Sequence, residues 1–252
     1  MNGIDTASTG VDKRRLRIEI LLVLAVSFGI SGIRAVLRLT DALLDPVPLN
    51  QQQVALNSTQ SQIPWLDLAL QLSSATALLA YGGLALFLLA GDGIGTARPR
   101  WSDAAWGAGL AALIGIPGLV FYATAVHLGL SREVIPASLD HPVTEIPVLL
   151  VWSAANAFGE ETVVVAYLLT RLKQLGWGLP AALAASSLLR GSYHLYQGIS
   201  AGFGNIIMGV VYGWFYWKTG RLWPLVIAHF LIDAIAFVGY TAIGGNLSFL
   251  GL

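Results

Sequence analysis

Long apolar stretches separated by short polar segments dominate the pattern of this chain. Seven of the stretches approach or exceed the roughly 20 residues that an α-helix needs to cross a bilayer. They predict membrane-spanning helices at residues 17–39, 66–90, 104–128, 146–172, 180–197, 203–217 and 223–243. We therefore divide the chain into a polar N-terminal tail (1–16), three N-terminal helices (17–145), four C-terminal helices (146–243) and a C-terminal tail (244–252).

The composition supports the same class of protein. Of the 252 residues, 56% are hydrophobic and only 11% are charged, whereas soluble globular proteins carry about 25% charged residues. We predict an all-α polytopic membrane protein, a bundle of about seven transmembrane helices in a lipid bilayer. Because the formal net charge is zero, nucleic acid is not an expected partner. The absence of cysteine excludes disulfides, thiolate catalysis and Cys-ligated metal centres.

Basic residues indicate the orientation of the chain. A basic run, Lys13 to Arg17, precedes the first apolar stretch, and the connections that contain Arg98, Arg171 and Lys218 continue an alternating pattern. By the positive-inside rule, this pattern predicts a cytoplasmic N-terminus.

Polar residues interrupt the last four apolar stretches in four places: Glu160-Glu161; Arg190, Tyr193, His194 and Gln197; Asn205; and His229 with Asp233. An acidic or basic residue at the centre of a membrane helix costs at least about 2.5 kcal/mol, so a functional role is the default interpretation. Tyr193, Gln197 and Asn205 are of the type that more often forms hydrogen bonds between helices.

The ionisable residues fall at one depth. With a rise of 1.5 Å per residue, Glu160, His194, His229 and Asp233 lie about 12–21 Å from the cytoplasmic ends of their helices. A hydrocarbon core is about 30 Å thick, so all four lie in its middle zone. We therefore expect one site in the core of helices 4–7.

The two glutamates face in different directions. Helical periodicity places Glu160 on one stripe with Ser153, Asn156 and Tyr167, while Glu161 points about 100° away. We expect Glu160 to serve the chemistry and Glu161 to contact a neighbouring helix.

These residues resemble the CPBP intramembrane protease family, the type II CAAX prenyl endopeptidase and bacteriocin-processing or immunity group. The family pattern is Glu-Glu-xxx-Arg, then Phe-xxx-His, then His-xxx-Asn or Asp. Glu160-Glu161 match the first motif, His194 the second, and His229 with Asp233 the third. The resemblance covers about residues 148–236, and it implies a bacterial plasma membrane as the location.

The chain departs from this pattern at two positions. Val165 stands in place of the family's Arg, and Arg190 in place of its Phe. Without a cation, Glu161 would be buried and unpaired at a cost of several kcal/mol. We hypothesise that Arg190 supplies the missing cation from the next helix.

The resemblance implies hydrolysis of a peptide bond in a membrane-associated protein or peptide, prenylated or otherwise lipophilic. Glu160 would activate water, His194 would hold the water or transfer a proton, and His229 would stabilise the oxyanion. Glu161, Arg190 and Asp233 would support them. Glu160, His194 and His229 are also the candidate ligands of a divalent metal such as Zn²⁺, since both metal-dependent and Glu/His mechanisms are considered for this family.

Two alternatives remain at this stage. Buried Glu, Arg and His residues also serve membrane carriers, so a proton-coupled carrier fits the same residues. The missing Arg at position 165 also fits an immunity or scaffold protein of the same fold with weak catalysis. The sequence does not define the oligomeric state.

Overall fold

The computed structural model describes residues 12–135 and 142–239 of this chain, and helices dominate them. The helices are α1 (Lys13–Val26), α2 (Phe28–Leu44), α3 (Pro64–Gly91), α4 (Trp101–His127), α5 (Pro142–Glu160), α6 (Leu168–Gln174), α7 (Leu179–His194), α8 (Ile199–Thr219) and α9 (Trp223–Ala234). The π-helical segment Glu161–Tyr167 joins α5 to α6, and another, Ile235–Gly239, follows α9. The predicted all-α architecture is confirmed. The predicted C-terminal tail, residues 240–243 of the last predicted span and residues 1–11 lie outside the described residues.

The number of membrane-spanning helices differs from the prediction. Among the described residues, α3, α4, α8 and the continuous helix Glu145–Gln174 are long and apolar enough to cross a membrane. A fifth span results if α1 and α2, which meet at an angle of 51°, count as one. Helix α7, with 16 residues, and α9, with 12, are shorter than a regular span. Seven regular spans are therefore not confirmed, although the chain has the helices of an integral membrane protein.

The first predicted span is broken at Ser27. The hydroxyl of Ser27 donates to the carbonyl oxygen of Val23 at 2.5 Å, and its backbone leaves the helical region with φ −129° and ψ −122°. A serine that bonds to the carbonyl four residues earlier tends to bend a helix. Phe28 begins the second helix immediately after this bend, with its side chain buried.

The helix formed by α5, the π-helical segment and α6 lies at the centre of the bundle. In its most apolar stretch of 18 residues, 61% is buried inside the protein. The corresponding stretches of the other three long helices are 22–39% buried. All seven residues of the π-helical segment are buried. Because π-helical i→i+5 hydrogen bonds widen the turn, the regular stripe that was predicted to join Glu160 with Tyr167 is wrong. The hydroxyl of Tyr167 instead donates to Oε1 of Glu19 at 3.0 Å.

A glycine brings α8 against α7 beside Arg190. A Cβ atom at Gly209 would lie 2.8 Å from the Cα of Ser187 and 3.4 Å from the Cδ of Arg190. Any larger residue at this position would push the two helices apart. Gly213, one turn later in α8, allows the same close approach, because a Cβ atom there would lie 2.7 Å from Cδ2 of Leu183.

Short loops fix the end of α7. Strand β1 (Gln53–Ala55) pairs in parallel with β2 (Glu133–Ile135). Between them, the guanidinium of Arg132 donates to Oε1 of Gln52 at 2.7 Å and to the carbonyl oxygen of Tyr196 at 3.2 Å. These contacts tie three loops together two residues beyond His194, the last residue of α7.

Candidate active site

Three helices meet where the buried ionisable residues lie. Glu160 ends α5 and Glu161 begins the π-helical segment, while α7 and α9 supply the other side chains. Contacts link all six residues predicted for the site, which are Glu160, Glu161, Arg190, His194, His229 and Asp233. We call these residues, together with Tyr193, the Arg190 site.

The predicted pair between helices is present. Nη2 of Arg190 donates to Oε1 of Glu161 at 2.5 Å, and both side chains are completely buried. Val165, at the position of the family's Arg, is also completely buried and offers no charge. A cation on the next helix therefore neutralises Glu161, as the hypothesis required.

Arg190 lies close to both carboxylates. Its Nη1 is 3.7 Å from Oε2 of Glu160, while its Nη2 contacts Glu161. The guanidinium also lies over the ring of Tyr212, 5.7 Å from the centroid. A cation in this position lowers the repulsion between two neighbouring acids, which would otherwise disfavour having both ionised.

Glu160 accepts a hydrogen bond that the sequence interpretation did not assign. The hydroxyl of Tyr193 donates to its Oε2 at 2.6 Å. The prediction that Tyr193 forms a hydrogen bond between helices is confirmed, and its partner on α5 is the candidate base. The signal was its position next to His194 and three residues after Arg190 on the same helix.

His194 faces the same carboxylate without a direct hydrogen bond. Its Nε2 lies 3.7 Å from Oε2 of Glu160. Neither ring nitrogen has a hydrogen-bond partner among the described residues, although both atoms are buried. A water molecule beside this gap can bond both groups, as is common for polar atoms more than 3.5 Å apart. Unsatisfied buried nitrogen atoms of this kind are candidates for contact with a reactant.

Two carboxylates flank the imidazole of His229. Its Nδ1 lies 2.7 Å from Oε1 of Glu161, and its Nε2 lies 3.5 Å from Oδ1 of Asp233. The amide of Asn156 in turn donates to Oδ2 of Asp233 at 3.4 Å. Asp233 therefore borders the imidazole of His229. Asn156, predicted only to share a stripe with Glu160, reaches the edge of the site.

Three other polar residues make local contacts instead. The amide of Asn205 donates to the carbonyl oxygen of Ala201, four residues earlier in its own helix, at 3.0 Å. Gln197 donates to the hydroxyl of Tyr196 at 2.9 Å, and Ser153 to the carbonyl oxygen of Leu149 at 2.9 Å. The prediction that Asn205 and Gln197 bond between helices is therefore wrong for these contacts, because a nearer acceptor lies within their own segment.

The residues present do not fit a metal centre. Within residues 12–135 and 142–239, no group of three or more His, Asp and Glu side chains is arranged to hold a metal ion. The two ring nitrogens of His229 face Glu161 and Asp233 rather than a centre shared with His194 and Glu160. The Zn²⁺ option for Glu160, His194 and His229 gains no support from this arrangement.

Comparison with known proteins identifies one related family. Residues 142–235 match the family model described as type II CAAX prenyl endopeptidase Rce1-like. No curated protein and no solved structure matches the chain significantly. The matched segment contains every residue of the Arg190 site. The resemblance to the CPBP and CAAX protease family, which the three sequence motifs predicted, is therefore confirmed over the C-terminal helices of this chain.

Proposed function

We propose that this integral membrane protein is an endopeptidase of the CAAX type, which hydrolyses a peptide bond near the prenylated C-terminus of a membrane-anchored protein. The observation that carries the proposal is the pair of Glu160 and His194. Glu160 is buried and His194 is partly buried, with Nε2 of the imidazole 3.7 Å from Oε2 of the carboxylate. Both imidazole nitrogens are buried without a hydrogen-bond partner among the described residues. This arrangement lies within the segment that matches the endopeptidase family.

Glu160 is the general base. A water molecule that contacts both Glu160 and His194 loses a proton to the carboxylate as its oxygen attacks the scissile carbonyl carbon. The imidazole of His194 holds that water in line through its free nitrogen. The tetrahedral intermediate then breaks its C–N bond, and protonated Glu160 returns the proton to the leaving amine, which restores the carboxylate.

His229 stabilises the oxyanion. Glu161 holds its Nδ1 at 2.7 Å, and this contact directs the opposite nitrogen away from the Glu161–Arg190 pair. The 3.5 Å separation between Nε2 and Asp233 leaves that N–H group available to a substrate oxygen. Removing a single oxyanion donor typically costs about 10²–10³ in kcat.

The test compares Glu160→Gln, His194→Ala and the wild type in lipid vesicles. The probe is a farnesylated fluorogenic peptide with a C-terminal CAAX sequence, and the same peptide without the farnesyl group is measured in parallel. We expect the wild type to cleave the farnesylated peptide, and each variant to lose about 10²-fold or more of the rate, the range for a general base or acid. Asn205→Ala, which alters a polar residue outside the site, should leave the rate unchanged.

Three outcomes would contradict the proposal. Cleavage that persists in Glu160→Gln would eliminate Glu160 as the base. Equal cleavage of both peptides would mean that the enzyme does not require a prenyl group on its substrate. If the wild type cleaves neither peptide and instead supports a proton-dependent uptake into the vesicles that requires Glu160, a carrier is favoured over a peptidase.

A further inference from the structure

Tyr193 is the residue of the Arg190 site that no family motif includes. Its hydroxyl donates to Oε2 of Glu160 at 2.6 Å, and its side chain is buried. We propose that Tyr193 is a positioning residue, which holds the carboxylate of Glu160 in the rotation that presents Oε2 to His194. This inference rests on the proposed role of Glu160 as the base.

The carboxylate of Glu160 needs such a constraint. The last torsion of a glutamate side chain has a broad energy profile, so the group rotates unless a partner fixes it. Arg190 and His194 each lie 3.7 Å from Oε2, beyond hydrogen-bond distance. In the described part of the chain, Tyr193 makes the hydrogen bond that reaches this carboxylate. A hydrogen bond from a hydroxyl to a carboxylate is short and strong, and this length is typical of one.

Tyr193 is itself held by packing. Its ring lies 5.1 Å from the ring of Phe28, and 4.7 Å from the ring of His194, between centroids. Phe28 begins α2 directly after the bend at Ser27, and it is also buried. The bend in the first membrane segment therefore places an aromatic side chain that supports Tyr193. A straight helix would carry Phe28 elsewhere.

Tyr193 and His194 both approach the same oxygen atom, Oε2 of Glu160. Tyr193 occupies one side of Oε2, and Nε2 of His194 lies 3.7 Å from the same atom, so a water beside the pair can contact both. A carboxylate oxygen has two lone pairs, so a donor on one leaves the other for the proton of that water. Without the hydroxyl, the carboxylate would turn toward Arg190, because the guanidinium is the nearest remaining charge.

The experiment is Tyr193→Phe, which removes the hydroxyl and retains the ring against Phe28. On the peptide substrate that the wild type cleaves, we expect kcat to fall about tenfold, the scale of one hydrogen bond to a charged group. KM should stay within about twofold, since the hydroxyl contacts no substrate.

Tyr167→Phe is the matched control. Tyr167 is also buried and donates to a carboxylate, Oε1 of Glu19, but it lies outside the Arg190 site. This variant should lose stability and retain the wild-type kcat and KM. If Tyr193→Phe and Tyr167→Phe lose kcat equally, the role of Tyr193 is structural rather than positioning.

A double-mutant cycle gives a readout that does not need activity. Tyr193→Phe, Glu160→Gln and the double variant are compared by their unfolding equilibria in detergent. We expect the two changes to be coupled by about fivefold or more in the equilibrium constant, within the range for residues in direct contact. Additive effects would overturn the inference. Coupling together with an inactive wild type would contradict only the proposed function, whereas an active wild type with an unaffected Tyr193→Phe would contradict only the positioning role.

Discussion

Two arginines are almost completely buried among the described residues, and they differ in whether the polar atoms around them all have hydrogen-bond partners. Arg171 has an exposed fraction of 1% and Arg190 of 0%. Arg171 donates from Nε to Glu19 at 2.9 Å, from Nη1 to Asp92 and Gln174, and from Nη2 to the carbonyl oxygen of Leu88 at 3.0 Å. All three of its nitrogens are bonded. We call Arg171 and the side chains of Glu19, Asp92, Gln174 and Tyr167 the Arg171 cluster.

The Arg190 site is not saturated. Nε of Arg190, Oε2 of Glu161 and both ring nitrogens of His194 are buried without hydrogen-bond partners among the described residues. In each cluster the arginine lies beside two carboxylates, and a tyrosine donates to one of them. Burial and composition therefore do not separate a structural ion cluster from a reactive one. Buried polar atoms without hydrogen-bond partners distinguish the two clusters, because a group whose hydrogen bonds are all made cannot bind a substrate.

The largest expected effect separates the two arginines by stability. Arg190→Leu leaves Glu161 charged and fully buried, so it should lower the free energy of unfolding by about 3–5 kcal/mol. Arg171→Leu should lower it by less, because the side chains of Asp92 and Glu19 are 48% and 16% exposed and water can solvate them. Chemical unfolding in detergent measures both, with the exposed Lys218→Leu as the neutral control. A larger loss for Arg171→Leu would contradict the comparison.

An intermediate effect is expected from restoring the family's cation. Adding Val165→Arg to Arg190→Leu should recover about 1.5–3 kcal/mol, the worth of a hydrogen bond to a charged group. Val165→Arg alone should destabilise the protein, because it adds a second cation to a site that already has one. The same unfolding measurement applies. If the double variant is no more stable than Arg190→Leu, then Arg190 does not replace the family's Arg.

The smallest effects are expected from two aspartates. Asp92→Asn should cost less than about 1 kcal/mol of unfolding free energy, because that side chain is half-exposed. Asp233→Asn should keep the protein folded and raise the cleavage rate by up to about fivefold, since an amide can donate to an oxyanion and an ionised carboxylate only accepts. Unfolding and peptide cleavage measure the two changes. A tenfold fall in rate for Asp233→Asn would mean that the charge is needed to hold His229.

The residues of the site were predictable, but their contacts were less so. Charges that are costly in an apolar helix identified Glu160, Glu161, Arg190, His194, His229 and Asp233, and the charge balance required the pair between Glu161 and Arg190. A hydrogen bond between helices was predicted for Tyr193, but its partner, Glu160, was not, because tyrosine is common at helix interfaces in general. Arg171 was counted as a residue of a cytoplasmic connection, but it is buried, because Glu19 and Asp92 come from distant parts of the chain. The cytoplasmic location of the N-terminus stays a prediction.

By itself, the sequence determined the class of fold and the chemistry available to it. Apolar length and low charge predict a helical membrane protein, the absence of cysteine excludes thiolate chemistry, and three motifs resemble those of a peptidase family. The tertiary structure decided where helices bend and which polar atoms find partners. The break at Ser27, the π-helical segment after Glu160 and the saturation of Arg171 all depend on competing hydrogen bonds. Periodicity does not encode such competition, because its outcome depends on groups that only folding brings together.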